Sequence, residues 1–148
     1  MSYPPLLRLA TEADYRKHFE NSYCRGVITT FDGIAVRFRK QNFDHCFFES
    51  SHRDRVKDKF STRRAERLDW IKVALADPTS ERYWGWDRQN KRYDYSRRVT
   101  VVMGNYVVVI VLKGDKTADF VTAYVADTVG TRGRKSTIEL IRSGPKCA

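Results

Sequence analysis

The stretch from Arg97 to Asp127, RRVTVVMGNYVVVIVLKGDKTADFVTAYVAD, is a near-unbroken run of strand-forming residues. Tyr106 to Leu112 is apolar throughout, which predicts a strand covered on both faces. Phe120 to Ala126 alternates instead. Val121, Ala123 and Val125 fall on one face, and Phe120, Thr122 and Tyr124 on the other. Gly104-Asn105 and Gly114-Asp115 read as hairpin connections, so the sheet is expected to be antiparallel.

The residues upstream change period. Pro4 and Pro5 oppose a helix, so residues 1–10 read as a loose leader. Thr11 to Asp14 has capping-box character and predicts a helix to about Ser22 that buries Tyr15 and Phe19. Val27 to Arg39 reads as a hairpin turning at Asp32-Gly33. Ile34, Val36 and Phe38 share one of its faces, Arg37 and Arg39 the other. Phe43 and Phe47 fit the stripe of a short helix that turns His45 to the side. An extended chain would instead place His45 with both phenylalanines. Ser61 or Thr62 caps a second helix with Ala65, Leu68, Ile71 and Leu75 as its buried stripe, ended by Asp77-Pro78. From Arg82 the period becomes two, and ERYWGWD and KRYDYSRR read as strands. Helices first and a strand meander after them predict an α+β fold: N-terminal helices packed on an antiparallel sheet. Residues 1–127 read as one domain. Residues 128–148, with five Lys or Arg and one Glu, read as a basic tail, mobile apart from a helical turn or two over Thr137–Arg142.

Lys and Arg number 28 against 18 Asp and Glu, a formal charge of +10. That excess favours nucleic acid over an acidic protein or an anionic membrane surface. No apolar stretch approaches the ~20 residues that span a bilayer, and MSYPPLLRLATEADYRK lacks an apolar signal core. A cytoplasmic protein without membrane contact is expected. Cys24, Cys46 and Cys147 form no CxxC pair, which argues against a structural zinc site and a disulfide framework. HExxH, Walker, Rossmann and GxSxG patterns are missing from the sequence, so neither a metal nor a cofactor is expected.

Of three histidines, His18 reads as a solvated helix residue and His52 as part of an exposed loop. His45, between aromatic anchors and a basic segment, is either structural or a proton-transfer group. Arg53, Arg55, Lys57, Lys59, Arg63 and Arg64 alternate with acids. They form either a solvated surface with local ion pairs or a set from which two or three hold phosphates. In Arg82 to Arg98 six cations interleave with five aromatics, a pattern that suits stacking on unpaired bases. There Trp84 is either a base platform or core. Arg98 shares a face with Thr100 and Val102, and through the sheet with Thr122 and Tyr124. It is therefore preferred over Arg97 for a role at phosphate.

Helical segments, a lone His in FDHCFFES, a basic stretch and a meander ending in FVTAYVAD resemble the barnase–EndoU–colicin–RelE nuclease superfamily, in its phage and polymorphic-toxin branch. The similar region runs from about Gly26 to Asp127, through FDGIAVRFRK, FDHCFFESSHRDRVKDKFS, RAERLDWI and VTAYVAD. The resemblance implies a metal-independent endoribonuclease that cleaves tRNA or mRNA by 2′-OH attack on the adjacent phosphate. The catalytic set it implies is His45, Lys57, Arg98, Thr122 and Tyr124, with Lys59 an alternative to Lys57 as basic helper. Arg53, Arg55, Lys59, Arg64, Trp84 and Arg97 are the expected RNA contacts. The second acid or base is left among Tyr124, Lys57 and Glu49. An acidic immunity or antitoxin protein is a second expected partner. The alternatives to catalysis are a nucleic-acid-binding module and a regulator that docks an acidic protein.

Overall fold

The computed structural model describes residues 3–50, 59–87, 90–126 and 135–147, and only the backbone of residues 86, 87 and 94–97. Arg53, Arg55 and Lys57 lie outside the described residues, as does the side chain of Arg97.

Helix α1, Glu12–Phe19, starts where expected: Thr11 Oγ1 accepts from the Asp14 amide at 3.1 Å. It runs into a π-helical turn, Glu20–Cys24, and the two segments bury Tyr15, Phe19 and Tyr23. Strands β1 (Val27–Thr29) and β2 (Ala35–Arg37) form the hairpin. Its turn needs Gly33, whose φ of 89° is open to glycine at no steric cost. Helix α2, Asn42–Phe47, buries Phe43 and Phe47 and leaves His45 exposed. Two short strands, β3 (Phe48–Glu49) and β4 (Lys59–Phe60), pair antiparallel. The helices α3 (Thr62–Ala65) and α4 (Trp70–Ala76) follow. Then come β5 (Glu81–Asp87), β6 (Arg92–Met103), β7 (Tyr106–Leu112), β8 (Thr117–Val125) and α5 (Thr137–Arg142).

The fold is α+β. Six strands form one sheet in the order β1-β2-β8-β7-β6-β5. The first four helices cover one face, where Phe19, Phe43, Phe47, Leu68, Ile71 and Leu75 meet Val99, Val101, Val108 and Ile110. Helix α5 lies on the other face, where Ile138 joins Tyr83, Val102, Val107 and Val109. Strand β7 is therefore covered on both sides, as its unbroken apolar run requires. No helix among the described residues is long and apolar enough to cross a membrane.

Five expectations change. The sheet is not wholly antiparallel, because β2 pairs parallel with Thr117–Asp119 of β8. The predicted helix from residue 62 to 76 is two helices. Tyr23 Oη donates to the Leu68 carbonyl at 2.6 Å and accepts from the Lys72 amide at 3.2 Å, so the hydroxyl occupies an i→i+4 bond of the ladder. Around it Arg67, Leu68 and Trp70 use shorter i→i−3 bonds.

The leader is not loose. Tyr3 stacks on Trp70 at 4.3 Å and donates to the Met103 carbonyl at 2.7 Å. Residues 143–147 are not loose either: the Trp84 amide donates to Pro145 O, and Cys147 donates to Arg82 O, each at 2.9 Å. Finally, β8 does not alternate cleanly. A bulge against Val109/Ile110 pairs Val109 with Thr122 and Ile110 with Phe120. Phe120 is thereby turned into the main core, stacked on Phe38 at 4.6 Å, away from Thr122 and Tyr124.

Candidate nucleic-acid interface

Strand β8 has two halves. Its first residues pair with β2, and the half from Phe120 onward runs past that partner. Helix α2 packs against this half: Cys46 Sγ donates to the Ala123 carbonyl at 3.5 Å. Beside it α3 begins, capped by Ser61, whose Oγ accepts from the Arg64 amide at 3.2 Å. The cap sets the direction of the short helix and hence of its arginines. Arg63 lies on α3 and Arg67 in the turn that follows it.

Between α3, β3 and this half of β8 lies a groove of about 290 Å³. Glu49, Arg63, Arg64, Arg67, Tyr124 and Thr137 line it, over a wall formed by Ala123, Val125 and Ala126. Arg64 is held on two sides, by Glu49 at 3.3 Å and by the Cys46 carbonyl at 3.1 Å. Arg67 pairs with Glu66 at 3.2 Å, and its guanidinium sits 5.1 Å from the Trp70 ring centroid. Glu66 is shared with Arg8 at 2.7 Å. The Arg67 Nε is buried without a hydrogen-bond acceptor among the described residues, a costly state for a charged group. Arg63 is exposed and has no ion-pair partner among the described residues. Three guanidiniums against the carboxylates of Glu49 and Glu66 leave an excess of positive charge that suits a phosphodiester, which arginine grips with paired N–H donors. Tyr106 Oη reaches the Arg67 carbonyl at 3.4 Å, and burial drives its phenol far above the ordinary tyrosine range. It supports the groove and stays protonated.

The groove gathers Arg64 and Tyr124 from the expected set and adds Glu49, one of the possible second acid/base groups. Lys59 stands opposite Glu49 in the β3–β4 pair. His45 sits exposed on α2, next in chain to Cys46, whose carbonyl holds Arg64 and whose thiol reaches Ala123. Arg98 and Thr122 lie on the opposite face from α2, with Tyr124 at the margin between that face and the groove. Trp84 is half-buried and packs against the main core. His18 is not merely solvated: its Nε2 lies 2.8 Å from Asp69 Oδ1, tying α1 to the turn before α4. Arg67 and Thr137 are the lining residues that sequence reasoning passed over. The i, i+4 spacing within RRAER was the available signal for pairing Arg67 with Arg63.

The free thiols of Cys24, Cys46 and Cys147 are far apart in role. Cys46 is buried in the α2–β8 contact, while burial raises the Cys24 thiol and pushes Cys147 up to about 11. Among the described residues no cluster of His, Cys, Asp and Glu is placed to hold a metal ion. Comparison with protein-family models, curated proteins and solved structures finds no match.

Proposed function

We propose that this chain is an endoribonuclease of the metal-independent kind, with the groove beside β8 as its reaction centre. One observation carries the reading: a carboxylate, three arginines and a phenol converge on one concave site, as Glu49, Arg63, Arg64, Arg67 and Tyr124. In this reading a base takes the proton of a ribose 2′-OH, which attacks the adjacent phosphorus. An acid then protonates the departing 5′ oxygen. Glu49 is the base and His45 or Tyr124 the acid. The guanidiniums neutralise the charge that builds on the phosphoryl oxygens, each such donor contributing about 3 kcal/mol to the barrier.

The test is incubation of purified protein with total RNA in excess chelator, beside Glu49→Gln and His45→Ala variants. Fragments ending in 2′,3′-cyclic phosphate are expected. Loss of the base in Glu49→Gln should slow their formation about 100- to 10,000-fold. Equal turnover in Glu49→Gln would remove Glu49 from the chemistry, and equal turnover in His45→Ala would leave the acid to Tyr124.

A second reading, a nucleic-acid-binding module without catalysis, is favoured by a different observation. His45 rides on the helix side while Arg98 and Thr122 occupy the other face. RNA that stays intact but shifts on a gel would select it. Saturable binding to an acidic protein, with no RNA shift, would select the regulator.

A further inference from the structure

The face opposite the four helices carries a second concavity, and its lining differs in chemistry from the arginine groove. Helix α5 crosses this face with Ile138 buried beneath it, which leaves Ile141 half-buried and Leu140 56% exposed. Between α5 and the β5–β6 hairpin lies a largely apolar cavity of about 410 Å³. Trp84, Gly85, Tyr93, Thr100, Leu140 and Ile141 line it. Its volume falls within the roughly 300–1,000 Å³ of sites that take small organic groups. Leu140 keeps a large apolar side chain in water at the rim, a position that gains from being covered.

A cation borders this cavity. A Cβ built on Gly85 would lie 2.3 Å from Arg98 Cγ and 2.4 Å from Arg98 Cδ, so the Arg98 stem rests on the glycine that forms part of the wall. The guanidinium begins one bond beyond that contact. Arg98 has no ion-pair partner among the described residues. Across the sheet, Arg98 is registered with Val111, Val111 with Asp119, and Asp119 with Arg37. Asp119 in that row pairs with Arg39 at 3.5 Å, so Arg98 and the exposed Arg37 stand on either side of one acid.

We propose that this cavity receives one unpaired nucleobase of a bound RNA strand, with Arg98 on the phosphate beside it. The inference rests on the nucleic-acid reading above. A slot lined by Tyr93, Leu140 and Ile141, with the Arg98 stem lying against its Gly85, matches a flat π-surface carried on a phosphodiester. A paired base in a duplex has both faces stacked and cannot enter, so the ligand is single-stranded RNA. The site is separate from the arginine groove and gives the protein a preference for a base at a fixed distance from the contacted phosphates.

The experiment measures affinity for a labelled, unstructured RNA and for an abasic strand of the same length, by fluorescence anisotropy. One stacked base makes the base-bearing strand bind about 5- to 150-fold tighter. Tyr93→Ala should bring its affinity down to that of the abasic strand. Tyr93 also packs on Gly144, so Leu140→Ser, at an exposed position, is the companion variant, with a smaller loss in the same direction. Gly85→Ala, which displaces the Arg98 stem, should weaken both strands. Equal affinities in the wild-type protein would overturn the inference and leave the nucleic-acid reading standing. Binding of neither strand would remove both. A concentration-dependent dimer abolished by Leu140→Ser would assign the cavity to a second copy of the chain, and so also overturn it.

Discussion

Tyr23 lies 45 residues upstream of the carbonyl it donates to, yet its hydroxyl shapes the segment that carries the groove arginines. Where Leu68 C=O and Lys72 N–H would bond to each other, the phenol stands between them and satisfies both. The helix therefore breaks after Ala65, and Arg67 falls in the turn, under the Trp70 ring and beside Glu66. Removing the hydroxyl leaves two buried backbone groups to find each other across a gap. Tyr23→Phe is expected to cost about 2 kcal/mol, the range for an orphaned buried hydrogen-bonding group. Urea unfolding measures it. A cost near zero would mean that the backbone recloses into one continuous helix.

At the scale of the element, β8 shows how one extra residue reassigns a strand. Without the bulge, Phe120 would share a face with Thr122 and Tyr124. With it, Phe120 joins Phe38 and Val36 in the main core, while Val121 and Thr122 face the α5 side. The two substitutions Phe120→Ala and Thr122→Val separate the arrangements. Phe120→Ala should lose about 3–5 kcal/mol, as buried aromatics do, and Thr122→Val should stay within about 0.5 kcal/mol. Comparable costs for both, read from chemical denaturation, would place the two side chains in equivalent surroundings and argue against the bulge.

Over the whole molecule, the termini and the titration behaviour are linked to the core. Tyr3 from the leader, Tyr23 and Tyr106 are phenols that burial raises above the tyrosine value of 10.0, and Cys147 near the C-terminus is raised from 9.0 to about 11. Each has a folded-state pKa above its unfolded value. Its contribution to stability is therefore complete below the unfolded pKa and is lost as pH rises through the folded one. Thermal melting should show Tm level up to about pH 9 and falling steadily above pH 10. A level Tm through pH 11 would mean that these groups ionise freely in the folded protein.

Features that neighbouring residues settle among themselves were legible in the amino-acid order. The Thr11 cap, the Asp32-Gly33 turn, the two-sided burial of Tyr106–Leu112 and the extent of α5 all follow from local period and propensity. So did the α+β order and the strongly basic charge. The rest was not legible there, because each point depends on a contact between distant parts of the chain. The parallel pairing of Ala35–Arg37 with Thr117–Asp119 joins residues about 80 apart, and no local pattern records it. The bulge in β8 is a property of its register against β7, not of its own composition. Pro4 and Pro5 do oppose a helix, but an extended leader still packs when Trp70 offers its ring and indole N–H to it. The groove itself combines Glu49, the arginines of α3, Tyr124 and Thr137 from four separate elements. Local chemistry sets what each segment is; chain closure sets which segments meet, and the candidate site exists only where they do.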